Sequence, residues 1–511
     1  MKRDRTMRKQ IVLLAAAISL AASATRIGSA AVSEPAGLPN GGVWKDAGGA
    51  LGGVLESRAV GRGMLSMRAK GMSITGRKLC GALLLAGVAL FAHASPPGRR
   101  FVHPGIAESA EDIARARRMI AERREPWYGC FKALEKCWSA NPNQKVPVYP
   151  TRLRPIDCNR TIGNAGRRAH DLALMYRLTD DERYAVKAAE FINANSHYEE
   201  LDERGSGPLD YGKIYLLVEA AELLRFYKGW AKEDKVRFAK MLRDKFYPLL
   251  KNGDPSRFGN QGLFALRGAL AIAVFIHDEK GYDRIWRYLN ALPLRADQEP
   301  FPSGPPIVPD WPETRDEFQI TRQLRGRRDD IPNYGYAEQL RYYIFQNGQC
   351  QESSRDQAHT VVGLSQLVAI AELFWIQGDD LYGALDNRIL LGLEWSFRYN
   401  EGDWQPSGYT DDEREATYEN GLFYRAKHRS GRWVSLKPNP SKMPFFGGPG
   451  APRECAYAHY RHVKRLPPEK MKHLRAAILR ENRNNGGFET WGFPPNWFYE
   501  WSGWGTLMKR K

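Results

Sequence analysis

Cysteine is scarce, with six in 511 residues. Cys80 lies in an apolar segment near the N-terminus, which leaves Cys130, Cys137, Cys158, Cys350 and Cys455. An odd number argues against a complete disulfide framework. Cys130 and Cys137 are seven apart, roughly 10 Å of rise on one helix, too far for a bridge and better read as two buried residues of one helical face. No Cys/His cluster has zinc spacing. His459-x-x-His462 comes nearest and is not expected to hold a metal. The two apolar segments near the N-terminus, Ile11–Ala22 and Leu79–Phe91, are both too short for a convincing membrane span. Strand signals are few before Asn400, no fixed repeat period runs through the chain, and no compact basic motif or nucleic-acid module is present.

What is there begins with charge. The chain is formally +18, with 76 Lys/Arg against 58 Asp/Glu. Part of that excess sits in residues 1–95, and the remainder keeps 63 basic and 54 acidic residues, about +9. A net positive body favours a polyanionic partner through long-range steering, although solubility alone also accounts for it. Arg77-Lys78, the apolar core Leu79–Phe91 and the Ala92-His93-Ala94 end fit a secretory signal. The Gly/Ala-rich stretch Ala30–Gly63 has no core-forming pattern, so translation is expected to start near Met64, Met67 or Met72. Residues 1–95 are read as a leader, with the signal at about 64–95, and 96–511 as a single domain, periplasmic or secreted, with no stable membrane insertion after cleavage.

From Ala107 the chain reads as helix after helix. Ser109 opens an amphipathic helix to about Arg124, and Pro126 stands at the start of a second, where its missing N–H costs nothing. Thr161–Leu178 is a third, and Asp180 or Asp181 caps a fourth that runs to Asn195. Apolar spacing of three and four places further helices over Tyr211–Lys228, Trp230–Leu250, Leu263–Val274, Tyr282–Leu292, Leu364–Trp375 and Asp380–Tyr399, with a last stretch at Arg453–Arg480. Paired helices joined by short turns point to an all-α fold, an (α/α) toroid or incomplete barrel of antiparallel helix pairs. Pro293–Pro332 and Asn400–Pro452 read as long loops able to wall a cleft.

One run stands out: Asn347-Gly348-Gln349-Cys350-Gln351-Glu352-Ser353-Ser354-Arg355-Asp356-Gln357-Ala358-His359-Thr360. With Ala371-Glu372, Gln377–Tyr382 and Asp386-Asn387-Arg388 after it, it resembles the signature of the alginate lyase family. His103-Pro104-Gly105-Ile106 and Trp504-Gly505-Thr506-Leu507 are also similar to that family, so the resemblance spans roughly Phe101 to Leu507. It implies an α/α toroid and β-elimination on a polyuronate.

That chemistry asks for particular residues. Loss of the C5 proton of a uronate needs amide, imidazole or guanidinium donors on the carboxylate, a base for the proton and an acid for the departing O4. Arg355 and His359 are four apart at a helix start and share a face; the alternative is a local network in which Arg355 pairs Glu352 or Asp356. Asn260 resembles the family position that meets the substrate carboxylate. The family often has His or Trp next, and this chain has Gln261, which moves the weight of neutralisation to His359. An N-cap role would equally explain Asn260. The resemblance makes Tyr457 or Tyr460 the acid/base, with Tyr334, Tyr336, Tyr342 and Tyr343 as rivals. Gln261, Glu352 and Gln357 are the expected substrate contacts, and Trp311, Trp404 and Trp433 are possible stacking platforms.

The leading expectation is a cofactor-free polysaccharide lyase acting on an acidic polysaccharide such as alginate or a glucuronan-like polymer. A glycoside hydrolase on the same toroid would need two facing carboxylates, with Glu352 and Asp356 or Asp210 the nearest candidates. A non-catalytic glycan-binding protein is the other alternative.

Overall fold

The computed structural model describes residues 98–202, 207–254, 259–301, 338–344, 346, 348–350, 357–400, 423–425, 434–437, 453–484, 487–489 and 504–511. The long loops therefore lie largely outside the described residues, as do Trp311, Trp404 and Trp433. Phe91–Lys511 forms one compact unit.

Local chemistry sets the first helices. Ser109 Oγ accepts from Asp112 N while Asp112 Oδ2 accepts from Ser109 N, a reciprocal cap that starts α1 (Ala110–Ala121). The second helix, α2 (Trp127–Glu135), follows Pro126. It ends before Cys137, so Cys130 and Cys137 do not share a helical face as expected: Cys130 is buried, and Cys137 lies beyond the helix end with its Sγ 3.0 Å from Ser139 Oγ. None of the five described cysteines is in a disulfide.

After a π-helical turn at Asn159–Gly163 comes α3 (Asn164–Thr179). Asp181 then caps α4 (Glu182–Ala194), its Oδ1 accepting from Arg183 N. The expected helix over Tyr211–Lys228 is divided into α5 (Gly207–Gly212) and α6 (Tyr215–Leu223). Trp230–Leu250 becomes α7 (Lys232–Met241), a π-helical turn and α8 (Tyr247–Leu250). Then come α9 (Gly259–Phe275), α10 (Glu279–Leu289), the four-residue α11 (Leu340–Tyr343), α12 (Gln357–Ile376), α13 (Ala384–Asn400), α14 (Arg453–Ala458), α15 (Lys472–Asn484) and α16 (Gly505–Met508). Positive φ at Leu385, Asp386 and Asn387 breaks α13 at its start, where a regular helix from Asp380 was expected.

Strand is minimal: β1 (Arg152–Leu153) pairs in parallel with β2 (Glu200–Leu201), and β3 (Phe423–Arg425) pairs antiparallel with β4 (Val434–Lys437). The fold is all-α. Helix contacts pass from α3 to α6, α9 and α12, on through α14 and α16 to α1, and back to α3, while α4, α10 and α13 pack outside as partners of α3, α9 and α12. This is an α/α toroid. Every residue of α9 is buried, as expected of a helix that is apolar on all sides. The apolar helix α12 is long enough to cross a membrane, but it too is mostly buried inside the unit and reads as core.

The inner helices are registered by polar contacts. Asn260 borders Gly363, and six or seven residues further on Arg267 lies beside Ala369 and Glu372, so α9 and α12 run in the same direction. Arg267 Nη2 donates to Glu219 Oε1 at 2.9 Å, Nη1 donates to Gln366 Oε1 at 3.3 Å, and the guanidinium lies 3.5 Å over the Tyr215 ring. At the opposite end, the segment before α1 closes the C-terminal ends of α6 and α12. Gly105 N donates to Glu222 Oε1, Val102 N donates to Gln377 Oε1, and Gln377 Nε2 donates to Gly105 O.

Two predictions follow from this packing. Arg267→Met leaves Glu219 buried without its cation and lowers unfolding free energy by about 3–5 kcal/mol, read as a lower urea midpoint; adding Glu219→Gln restores part of the loss. Fully buried His170 sits between Glu108 and Asp171. Burial favours its neutral form, but the two carboxylates outweigh that and hold it protonated up to about pH 10. Because the folded pKa lies above the ordinary 6.5, this stabilisation is complete below about pH 6.5 and is lost as pH rises through about 10. The urea midpoint therefore falls between pH 7 and 10, and His170→Gln flattens that fall.

Candidate functional site

The N-terminal turns of α9 and α12 meet around a glycine. A Cβ built on Gly363 would lie 1.5 Å from Tyr343 Oη and 3.2 Å from Asn260 Cβ. Gly363 is therefore the notch in α12 that admits the tyrosine hydroxyl, and Asn260 forms the adjoining wall. His359 lies four residues before Gly363, one turn nearer the helix start on the same face, and is half-buried. Asn260 is 2% exposed, and its Oδ1 has no hydrogen-bond partner among the described residues; the same is true of Gln261 Oε1. Rotation about the terminal torsion presents either the oxygen or the NH₂ of such an amide. Backbone N–H groups and the positive end of the helix dipole at these two starts add a preference for an anion.

Tyr343 is fully buried at the end of α11. The same segment supplies Glu338, which the sequence reading passed over. Glu338 packs on Gly262, where a Cβ would meet its Oε1 at 1.9 Å, and Tyr288 Oη donates to its Oε2 at 2.5 Å. Its only sequence signal was a carboxylate five residues before Tyr343. A cavity of about 420 Å³ lies on this side, lined by Tyr288, Phe301, Gln339, Arg341 and Tyr342. That volume is in the range of small-ligand sites.

The other expected residues fall elsewhere. Arg355, Glu352, Tyr334 and Tyr336 lie outside the described residues, and Gln357 is described only as the first residue of α12. Tyr460 is fully buried and donates to Tyr382 O at 3.1 Å; burial pushes its hydroxyl well above the usual range. Tyr457 is half-buried on α14. Between these two tyrosines, His459 packs against Trp375, with ring centroids 4.7 Å apart. Trp375 follows His359 by sixteen residues, about 24 Å along α12. The structure thus brings Asn260, Gln261, His359 and Tyr343 to one end of α12, and Tyr457 and Tyr460 to the other. Asp210 is engaged with Lys213 at 2.7 Å.

A cavity of about 360 Å³ also opens at the far end, beside Trp375 and His459. Three of its charged groups pair with one another, Lys509 Nζ lying 2.8 Å from both Asp112 and Glu372. Burial lowers His459 to about 4, so it is neutral near pH 7. No group of three or more metal-ligating side chains occurs among the described residues.

Solved structures similar to the chain include alginate lyases. One, from Bacteroides ovatus, is 14% identical, covers 62% of this chain and 90% of its own, and has a TM-score of 0.39. Alginate lyase A1-III from Sphingomonas species A1 is 14% identical over 80% of this chain and 97% of its own, with a TM-score of 0.46. A tyrosine-to-phenylalanine form of A1-III, complexed with tetrasaccharide, is 13% identical over 78% and 94%, with a TM-score of 0.47. No family model and no curated protein matches the chain. At these identities the likeness assigns neither substrate nor catalytic residue, and the toroid stands on the helix contacts themselves.

The Gly363 notch is directly testable. Gly363→Ala places a methyl where Tyr343 Oη lies and costs about 1–3 kcal/mol by overpacking. Tyr343→Phe in the Gly363→Ala background recovers part of that cost, measured as a coupling in a urea double-mutant cycle.

Proposed function

We propose that the protein is a polysaccharide lyase that cleaves a uronate-containing glycan by β-elimination at the starts of α9 and α12. The observation that carries this reading is the buried Asn260 side chain, whose Oδ1 has no hydrogen-bond partner among the described residues, adjoining the Gly363 notch that holds Tyr343 Oη, with His359 one turn before Gly363. The motif from Asn347 to Thr360, which contains His359, adds to it.

Each residue has a role that fits its chemistry. The Asn260 amide and His359 hold the uronate carboxylate and take up the negative charge that builds as the C5 proton leaves. Tyr343 is the proton-transfer group. Its ionised oxygen takes the C5 proton, the C5–H electron pair becomes the C4–C5 double bond, the C4–O4 bond breaks with its electron pair leaving on O4, and the same proton then passes from Tyr343 to O4. Tyr457 and Tyr460 are structural in this reading. Export to the periplasm or beyond, through the segment at about 64–95, belongs to the same proposal.

Incubation with alginate, glucuronan and related polyuronates, followed by ultraviolet absorbance of the unsaturated product, is the test. Absorbance rises for at least one polymer; folded protein that gives no rise on any of them refutes the reading. Asn260→Ala and Tyr343→Phe each lower kcat by about 10²-fold or more. Tyr457→Phe leaves kcat within about threefold of the parent. A loss in Tyr457→Phe that equals the loss in Tyr343→Phe moves the proton-transfer role to the other end of α12.

A further inference from the structure

A second cluster of sugar-recognition chemistry lies on α3, away from the Gly363 notch. Trp138 is 48% exposed although it sits against the helix. Two consecutive guanidiniums meet its ring, Arg167 at 5.1 Å and Arg168 at 5.0 Å from the centroid. Arg168 is half-buried, and no carboxylate pairs with it among the described residues. Its other neighbours are the Phe191 ring at 5.7 Å and Tyr149, whose hydroxyl burial pushes up against the pull of the Arg168 charge. Asp171, the carboxylate one turn along α3, is occupied by Ser139 Oγ and Trp504 Nε1.

The fold can explain a tryptophan over a guanidinium as packing, but packing does not need half the indole in water or a partly desolvated cation without a counter-ion. Both fit one kind of ligand. The open indole offers an apolar plane, the Arg168 guanidinium offers in-plane donors for a carboxylate, and a uronic acid ring carries an apolar face and a carboxylate together. A neutral sugar would leave the Arg168 cation unused, and a simple anion would leave the indole unused.

We propose that Trp138 and Arg168 form a binding site for a uronic acid unit of an acidic glycan, separate from the site of cleavage. It rests on the polyuronate reading of the protein for the identity of the polymer. α3 reaches α9 through α6 in the ring of helix contacts. Two helix spacings are about 16–20 Å, so one polymer chain can reach both sites.

Isothermal titration calorimetry of the full chain with tetramers of mannuronate and of glucuronate tests the site without requiring turnover. Trp138 is exposed, so Trp138→Ala is expected to fold, which circular dichroism checks. Trp138→Ala and Arg168→Gln each weaken binding of at least one tetramer about tenfold, and Arg168→Lys recovers part of the loss. Methyl esters of the same tetramers bind the parent as weakly as the acids bind Arg168→Gln. In turnover assays, Trp138→Ala raises KM for polymer and leaves kcat on short oligosaccharides unchanged. Equal binding of acid tetramers by parent, Trp138→Ala and Arg168→Gln overturns the site, as does tighter binding of single-stranded oligothymidylate than of either tetramer. Binding that depends on Trp138 in a protein without lyase activity keeps this site and rejects the proposed cleavage.

Discussion

The Arg267 guanidinium ties the toroid together where three inner helices meet. It belongs to α9, reaches Glu219 on α6 and Gln366 on α12, and lies over Tyr215. A buried cation is costly unless its donors are used. Here hydrogen bonds and a ring face surround it, and the same contacts fix how far α9 and α12 slide past one another. The notch at Gly363 depends on that register, because a shift of one residue would put a side chain where Tyr343 Oη now lies. A polar contact in the core thus sets the geometry of a polar site one to two turns away.

The two ends of the inner helices have different tasks. At the C-terminal ends of α6 and α12, the segment from Arg99 to Gly105 takes up the side chains that would otherwise face solvent. Arg99 pairs Asp379, His103 meets Glu222 at 2.6 Å, and Gln377 makes three hydrogen bonds to the segment's backbone. That end is built for closure. At the N-terminal ends the starts of α9 and α12 stay polar, and two buried amides, Asn260 and Gln261, leave hydrogen-bonding capacity unspent. Unspent capacity in a buried amide is a stability cost of roughly 1–3 kcal/mol per group. A ligand that uses it recovers that cost on binding.

Much of the architecture was legible because it is local. Ser109 and Asp181 announced helix starts through capping chemistry, and apolar spacing placed the long helices α9 and α12 within a few residues. Periodicity could not show the interruptions. The turn that divides α5 from α6 and the positive-φ break at Leu385–Asn387 depend on tertiary packing, and Cys137 falls outside α2 because that helix ends two residues earlier than an unbroken face requires. In the site, the resemblance rather than helix-start chemistry pointed to Asn260 and His359, and the structure places Asn260 against Gly363, one turn along α12 from His359. Which tyrosine joins them could not be read from the sequence. A tyrosine's own helix face is a local property, but the notch that receives Tyr343 lies on α12 and is made by the absence of a side chain at Gly363.

That absence separates the two sets of tyrosines. Tyr460 already donates its proton to a backbone carbonyl, in surroundings that push its ionisation far up. As a proton-transfer group it would have to break that bond and ionise in an apolar setting, and each step adds to the barrier. Tyr343 is equally buried, but its hydroxyl sits in the Gly363 notch beside the Asn260 side chain, toward the N-terminal end of α12. Burial alone therefore does not distinguish the candidates. The distinction lies in what each hydroxyl adjoins: a backbone carbonyl in one case, and in the other an asparagine whose Oδ1 has no partner among the described residues.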